Sequence, residues 1–318
     1  MRSLLTTAAI AAALSAPTAH SQLTLTTSYT LPSNVAFDVQ ADGRLLLIDG
    51  DGDVLQQDAV NSTGFTLAGS IAPLNPGNGA PSFVSISPDG QSVAIGDNVF
   101  GPANAVSIFD TADLTSPGVS SPLSTITTPN FAASWSDNST LFVTGAISSP
   151  FTTVVNRLDA TNGTSETVIS PAGGSSGGVN ANGNELLIGA GDSGDVRSFD
   201  IAALSTTAAD FSTGTFIAGS GSAGSIDTFG SLLLIAGSGG VQVIDRVAGT
   251  TLTLAPLGSS EFYGGFFNPS QNQIIVTNSV FDTNTFVPTT TIFAYTIPAP
   301  ATLALAPLAL AATRRRRA

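Results

Sequence analysis

The sequence predicts an all-β protein folded as a six-bladed β-propeller, and three features carry that prediction. First, one unit recurs six times, and its first turns start 47, 48, 45, 47 and 42 residues apart. Second, each unit holds an apolar run, a polar or glycine-rich turn and a β-branched run, the pattern of a β-hairpin. Third, no convincing helical periodicity occurs in the body of the chain. A period in the forties with four strands per repeat is typical of a propeller blade, and seven blades is the alternative count.

The central hairpin of the unit is clearest in residues 231–246, SLLLIAGSGGVQVIDR, where an apolar second strand and a third strand flank a glycine turn. The predicted second strands of the six units are residues 45–48, 93–95, 141–143, 186–188, 232–235 and 274–276. Five of the six third strands end in aspartate: Asp58, Asp110, Asp159, Asp200 and Asp245. We expect these carboxylates to accept backbone N–H bonds in the turns that follow.

The last unit has three clear strands, whereas residues 23–29, LTLTTSY, alternate like a strand and have no partner in the first unit. We therefore expect residues 23–29 to pair with the third strand of the sixth blade, around residues 291–295. This pairing closes the ring, because an open ring would leave unpaired strand edges.

Both ends of the chain carry the features of removable segments. Residues 1–21 form a signal peptide, with a basic start, an apolar run at residues 4–14 and small residues Ala19 and Ser21 before the cleavage point. Residues 298–318 contain Pro298 and Pro300, an uncharged stretch at residues 301–312 and the cluster Arg314, Arg315, Arg316 and Arg317. The stretch is short for a stable membrane span, so we expect transient membrane insertion. The propeller domain then covers residues 22–297.

Composition excludes several functional classes. Residues 22–297 hold four arginines and 22 acidic residues, a net charge of −18, which disfavours nucleic acid as a partner. The chain has no cysteine, and its one histidine, His20, lies in the signal peptide. The mature protein therefore lacks the commonest general base, the best nucleophile and the commonest metal ligand.

Two resemblances follow from particular stretches. SVAIGDN with AVSIFDTADL, LFVTGA with VVNRLDA, LLLIAGSGGVQVIDRVAG and QIIVTNS resemble the YVTN-type repeats of bacterial extracellular propellers. The last 21 residues resemble the PEP-CTERM sorting signal, with Ala299 in place of its usual glutamate. These resemblances imply export by a Gram-negative-type bacterium, handling by its export and sorting machinery, cleavage near the two prolines, and a place at the cell surface or in the extracellular matrix.

We predict no resident cofactor, catalytic residue or metal site, and two stretches keep calcium open as an alternative. Asp49, Asp51 and Asp53 crowd one short loop, although the glycine and glutamate positions of an EF-hand are absent. Asn34, Asn130 and Glu261 start first strands and could face the channel together, as in calcium-dependent gluconolactonase-like hydrolases. The simpler interpretation is that these residues cap loops and turns.

The sequence favours a binding, adhesion or interaction module whose partner is an extracellular protein or polysaccharide. A calcium-dependent hydrolase and a purely structural matrix protein are the alternatives. The connections between second and third strands are long in blades two, three and six and carry Phe100, Phe151, Phe281 and Phe286. We predict that these phenylalanines form an apolar binding rim on an otherwise acidic surface. The competing interpretation is that they fold back onto their own blades.

Overall fold

The structure is a computed structural model of the full chain. It describes residues 23–32, 35–73, 80–97, 104–148, 151–171, 177–190, 194–219, 223–237, 240–254, 262–281 and 288–297. These residues lie in one compact unit, Leu25–Ile297, apart from the first two of them. The predicted signal peptide, residues 1–21, and the predicted sorting tail, residues 298–318, fall outside the described residues.

The described strands form six small sheets, antiparallel apart from one added strand, arranged as a six-bladed β-propeller, so the count of six is confirmed and the count of seven is wrong. Blade one holds β2 (Val35–Val39), β3 (Leu45–Asp49), β4 (Asp53–Gln57) and β5 (Phe65–Ile71). Blade two holds β6 (Phe83–Ile86), β7 (Ser92–Gly96), β8 (Ala105–Asp110) and β10 (Ser124–Thr127). Blade three holds β11 (Ala132–Trp135), β12 (Thr140–Ser148), β13 (Phe151–Asp159) and β14 (Thr164–Ile169).

The second half of the ring repeats this plan. Blade four holds β15 (Val179–Asn182), β16 (Glu185–Gly189), β17 (Asp195–Asp200) and β18 (Thr215–Gly219). Blade five holds β19 (Ser225–Phe229), β20 (Leu232–Gly237), β21 (Gly240–Asp245) and β22 (Thr250–Leu254). Blade six holds β23 (Phe262–Asn268), β24 (Gln273–Phe281), β25 (Pro288–Thr296) and β1 (Thr24–Thr30).

Ring closure occurs as predicted. The N-terminal strand β1 lies beside β25 as the outermost strand of blade six. Thr26 and Thr296 share a side-chain hydrogen bond of 2.7 Å, and the Leu31 N–H donates to the Thr290 carbonyl at 2.8 Å. The sixth blade is thus built from both ends of the propeller domain.

Two details differ from the sequence prediction. The connections between second and third strands that the sequence predicted to be long in blades three and six are mostly strand. In blade three, β12 and β13 stay paired as far as Ser148 and Phe151, and in blade six, β24 and β25 stay paired as far as Phe281 and Pro288. Blade one also has a fifth strand, β9 (Val119–Ser120), which runs parallel to β5. In the sequence, β9 lies between β8 and β10, two strands of blade two. A strand of two residues has no recognisable period, so the repeat pattern did not predict it.

The hydrophobic core lies between neighbouring blades. The second strands are apolar along their length because both faces of each blade are covered. Leu46 and Ile48 of blade one, for example, are fully buried against Val84 and Val93 of blade two. Four further clusters join blades two and three, three and four, four and five, and six and one.

Helix is scarce among the described residues. They include one short helix, α1 (Thr111–Leu114), which follows β8, and three 3-10 turns at Ile201–Ala203, Phe211–Thr213 and Pro269–Gln271. Asp110 caps α1 by accepting bonds from the N–H groups of Ala112 and Asp113. Within the described part of the chain, no helix has the length and apolar character needed to cross a bilayer.

The aspartates that end the third strands largely behave as expected. Asp159 accepts from the N–H groups of Thr161 and Asn162, both at 2.9 Å, and Asp245 accepts from those of Val247 and Ala248. Asp200 accepts from the N–H of Ala202. Asp58 differs, since it accepts from the hydroxyl of Thr66 on the adjacent strand. The repeated aspartate is therefore a turn residue.

Candidate functional site: the central channel

The innermost strands of the six blades surround a central channel. We call the end where these first strands begin the upper mouth, lined by Val35, Phe83, Val179 and Ser225 among others. We call the opposite side, formed by the turns after the first and third strands, the lower face. A cavity of about 540 Å³ opens at the upper mouth, and one of about 430 Å³ lies toward the lower face.

The lining of the upper cavity is aromatic and hydroxyl-bearing. Phe37, Phe83 and Trp135 contribute rings, and Ser82 and Ser134 are among the hydroxyl residues. Among the described residues that line it, the ionisable ones are Asp38 and Asp227. Both also line the lower cavity, so the two carboxyl groups stand where the two cavities meet.

Asp38 and Asp227 connect their own blades to the next ones. One carboxylate oxygen of Asp38 accepts a 2.7 Å bond from the N–H of Ile86 in blade two. One carboxylate oxygen of Asp227 accepts a 2.6 Å bond from the N–H of Phe267 in blade six. Ser134 does the same in blade three, where its hydroxyl oxygen accepts from the N–H of Ala181 at 2.9 Å. The three side chains hold equivalent positions, because each pairs with the second or third residue of its own second strand, namely Leu46, Leu234 and Phe142.

Other junctions use the same region of the first strand with different chemistry. The Trp135 indole N–H donates to the Ser85 carbonyl at 3.0 Å, joining blades three and two. Asn180 of blade four donates to Asp227 at 3.0 Å and accepts from the Thr228 hydroxyl at 2.9 Å. Blades six and one meet through Phe266 and Phe37, whose rings pack edge to face with centroids 5.5 Å apart. The inner ring is therefore a belt of contacts that fixes neighbouring blades.

Burial makes the two channel aspartates weaker acids than exposed aspartates. Loss of hydration raises the pKa of Asp38 to about 7, against the N–H bonds from Ile86 and Val39, and the charge of Asp227 adds a smaller rise. Burial likewise raises the pKa of Asp227 to about 6, opposed by bonds from Phe267, Thr228 and Asn180. Both groups therefore titrate much nearer to neutral pH than an exposed aspartate does.

These aspartates were absent from the sequence prediction, although a signal for them exists. Each is a lone acid inside an otherwise apolar or hydroxyl-bearing first strand, VAFDV and SIDTF. An acidic residue at an inward position of a buried strand needs hydrogen-bond donors, and in a closed ring the next blade supplies them.

Two tall hairpins stand beside the upper mouth. β12–β13 and β24–β25 have nine residues per strand, whereas the second and third strands of the other blades have five or six. They belong to blades three and six, which lie opposite each other in a ring of six. Each presents one exposed aliphatic side chain at the eighth position of its second strand, Ile147 (45% exposed) and Val280 (46% exposed).

The described upper parts of these hairpins carry no charge. Residues 144–148, 151–155, 277–281 and 288–292 contain no acidic or basic residue. Thr277, Ser279 and Thr290 of blade six extend into the lining of the upper cavity. In a domain of net charge −18, the described parts of these two hairpins are therefore neutral, hydroxyl-rich and partly apolar, whereas the upper turn of blade one carries Asp49, Asp51 and Asp53.

Two of the four phenylalanines of the predicted rim lie among the described residues. Phe151 and Phe281 lie on the tall hairpins, in β13 and β24, rather than in loops as predicted. Phe100 and Phe286 fall outside the described residues. The rim itself stays a prediction.

The predicted calcium positions divide in the same way. Asn130 is 2% exposed, and its amide nitrogen donates to Asp97, Ala105 and Thr128, so it serves the junction of blades two and three. Asn34 and Glu261 fall outside the described residues. Asp49 accepts bonds from the N–H groups of Asp51 and Asp53, a turn role. Within the described ranges, no three acidic, histidine or cysteine side chains are grouped as metal ligands.

Comparison with known proteins identifies the fold. No protein-family model and no curated protein matches the sequence. The chain is similar in structure to the β-propeller domain of Cps50 (Swd1) from Myceliophteria thermophila, with 12% identity, a TM-score of 0.54, and coverage of 87% of this chain and 100% of that one.

Two further solved structures agree. A putative TolB from Agrobacterium tumefaciens has 14% identity and a TM-score of 0.52, with coverage of 83% of this chain and 90% of that chain. A chain from the nidogen/laminin complex has 12% identity and a TM-score of 0.53, with coverage of 72% and 82%. At such identities the likeness establishes the propeller and nothing finer.

Proposed function

We propose that this chain is an exported binding module that takes an extracellular protein or polysaccharide at the upper mouth of its channel. The observation that carries the proposal is the pair of opposed hairpins, uncharged in their described upper parts and bearing exposed Ile147 and Val280, on a strongly acidic domain. Exposed aliphatic side chains beside a concave, hydroxyl-lined cavity suit the recognition of a partner by apolar contact and hydrogen bonds.

Binding is favoured over catalysis because the channel carboxyl groups are already engaged. Both oxygens of Asp38 and both oxygens of Asp227 accept backbone N–H bonds, which hold them in place as links between blades. A general acid or base instead needs a proton-transfer path to a substrate. Export and display rest on the sequence features at the two chain ends, and the propeller supplies the binding body that they would deliver.

The test compares apolar and charged side chains at the upper mouth. Replacing both Ile147 and Val280 with Asp should weaken attachment to extracellular matrix by about tenfold or more, since two apolar contacts are lost and two charges added. Val247→Asp is the matched control, because Val247 is 87% exposed on the lower face. Attachment of the purified proteins is measured by sedimentation with matrix from the producing cells.

The same assay separates the two partner classes. Matrix treated with periodate loses its sugars, and matrix treated with protease loses its proteins, so the treatment that abolishes attachment names the partner. The proposal fails if the unaltered protein does not attach to matrix. It also fails if Val247→Asp weakens attachment as much as the double variant does.

A further inference from the structure

Both ends of the propeller domain meet at one point on the lower face of blade six. β1 starts there and β25 finishes there, as the hydrogen bond between Thr26 and Thr296 demonstrates. The exit of the chain is fixed, because the N–H of Ile297 donates to the Asn272 carbonyl at 2.9 Å. The Asn272 amide in turn donates to the Ile297 carbonyl at 2.7 Å.

This point differs in charge from the rest of the lower face. Blades one to five each place acids in their described lower turns, for example Asp42, Asp89, Asp137, Asp200 and Asp245. The lower turn of blade six, Pro269 to Asn272, is uncharged, and so are the neighbouring ends of β1 and β25. The same strand end presents Leu25, which is 49% exposed.

The chain allows little distance beyond this point. Pro298, Ala299 and Pro300 are the three residues between Ile297 and the uncharged stretch at residues 301–312. Even fully extended, the steps from Ile297 to Ala301 span at most about 14 Å. If residues 301–312 are inserted in a membrane, the lower end of blade six therefore lies close to that membrane. If the chain is cleaved near the two prolines, as the resemblance implies, the new C-terminus still follows directly on the end of β25.

We propose that the lower turn of blade six is the surface by which the propeller rests on a lipid headgroup layer, so that the upper mouth points away from the membrane. The inference rests on the proposed export and sorting, and it adds an orientation. An anionic headgroup layer repels the acidic lower turns of blades two, three and four, which carry Asp89, Asp137 and Asp200, whereas Arg44 and Arg246 offset the acids of blades one and five. The same layer tolerates the uncharged turn of blade six beside exposed Leu25. The binding surface and the attachment point thus occupy opposite ends of the same body.

The absence of cysteine from the sequence makes the orientation measurable with single-cysteine variants of the full chain. Three exposed positions are suitable: Gln271→Cys on the lower turn of blade six, Thr161→Cys on the lower turn of blade three, and Ile147→Cys beside the upper mouth. Each variant is labelled with a fluorescent donor and incorporated into phosphatidylglycerol and phosphatidylethanolamine vesicles that carry an acceptor on their headgroups.

We expect energy transfer to be strongest from Gln271→Cys, intermediate from Thr161→Cys and weakest from Ile147→Cys. Strands of five to nine residues separate the two faces by roughly 17–30 Å, so the strongest and weakest signals should differ by about twofold or more. Equal signals, or the strongest from Ile147→Cys, would overturn the orientation and leave the export proposal standing. Failure of the full chain to associate with vesicles would overturn the tail's membrane role and the orientation together.

Discussion

The fold shifts the pKa values of two groups of aspartates in opposite directions. Those in the lower turns, such as Asp137 and Asp159, accept N–H bonds at the surface, and these bonds lower their pKa. Those of the channel, Asp38 and Asp227, accept equally short N–H bonds, yet burial raises their pKa. The N–H bonds are similar in length, but Asp137 and Asp159 also accept side-chain hydrogen bonds from Ser139 and Asn162. The channel aspartates lose more hydration, and that loss outweighs their hydrogen bonds.

The comparison teaches that a repeat can use one residue type for two tasks. A turn aspartate stabilises a local segment within one blade. A channel aspartate joins one blade to the next, across about forty residues of sequence or more, and carries the cost of burying its charge. Three predictions, from the largest expected effect to the smallest, test this difference.

The largest effect is expected from removing a channel acceptor. Asp227→Ala leaves the Phe267 N–H and the Asn180 amide without their shared partner, which should lower the free energy of unfolding by about 2–4 kcal/mol. Urea unfolding measures the loss. Asp227→Ser is the matched variant, because Ser134 performs the same task in blade three, and it should retain much of the stability. Equal losses for the two variants would argue against a blade-linking role.

The next effect concerns pH. Because the pKa of Asp38 is raised to about 7 and that of Asp227 to about 6, the folded state holds protons that the unfolded state releases above about pH 4. Their contribution is full below pH 4 and is lost as pH rises toward 8. Stability should therefore be higher at pH 5 than at pH 8, by on the order of 1–3 kcal/mol.

This pH window isolates the channel pair. The one histidine lies at position 20 and the chain has no cysteine, so the usual groups that titrate between pH 5 and 8 are missing from the domain. Urea unfolding at several pH values gives the slope, and a double Asp38→Ser, Asp227→Ser variant should flatten it. A slope that survives in the double variant would assign the dependence to other groups.

The smallest effect is expected at a lower turn. Asp137→Ala removes an acceptor for the N–H groups of Ser139 and Thr140 at the surface, where water replaces it, so the loss should be about 1 kcal/mol or less. Since the lowered pKa of Asp137 stabilises the fold above about pH 4, this loss should fade on acidification. Thermal unfolding at pH 7 and pH 3 checks both points. A loss equal to that of Asp227→Ala would remove the distinction between the two groups.

The sequence by itself determined the repeat, the number of blades and the strand that closes the ring. These features follow from local signals, since apolar runs, turn residues and spacing act over a few residues. The second strands appear where their apolar runs predicted, with the fully buried Leu46 and Leu234 as examples. The unpartnered alternation of residues 23–29 was enough to place β1, because a ring with one strand missing has one place for it.

The tertiary structure decided what no local pattern encodes. Asp38 and Asp227 became channel groups with raised pKa values only when blades distant in sequence enclosed them and supplied their donors. The two tall, uncharged hairpins face each other across the channel because blades three and six fall on opposite sides of a six-fold ring. The first and last strands of the propeller domain likewise share one uncharged corner because ring closure brings β1 against β25. Burial, opposition across the ring and the meeting of the ends depend on long-range assembly, so three-dimensional structure was needed to find them.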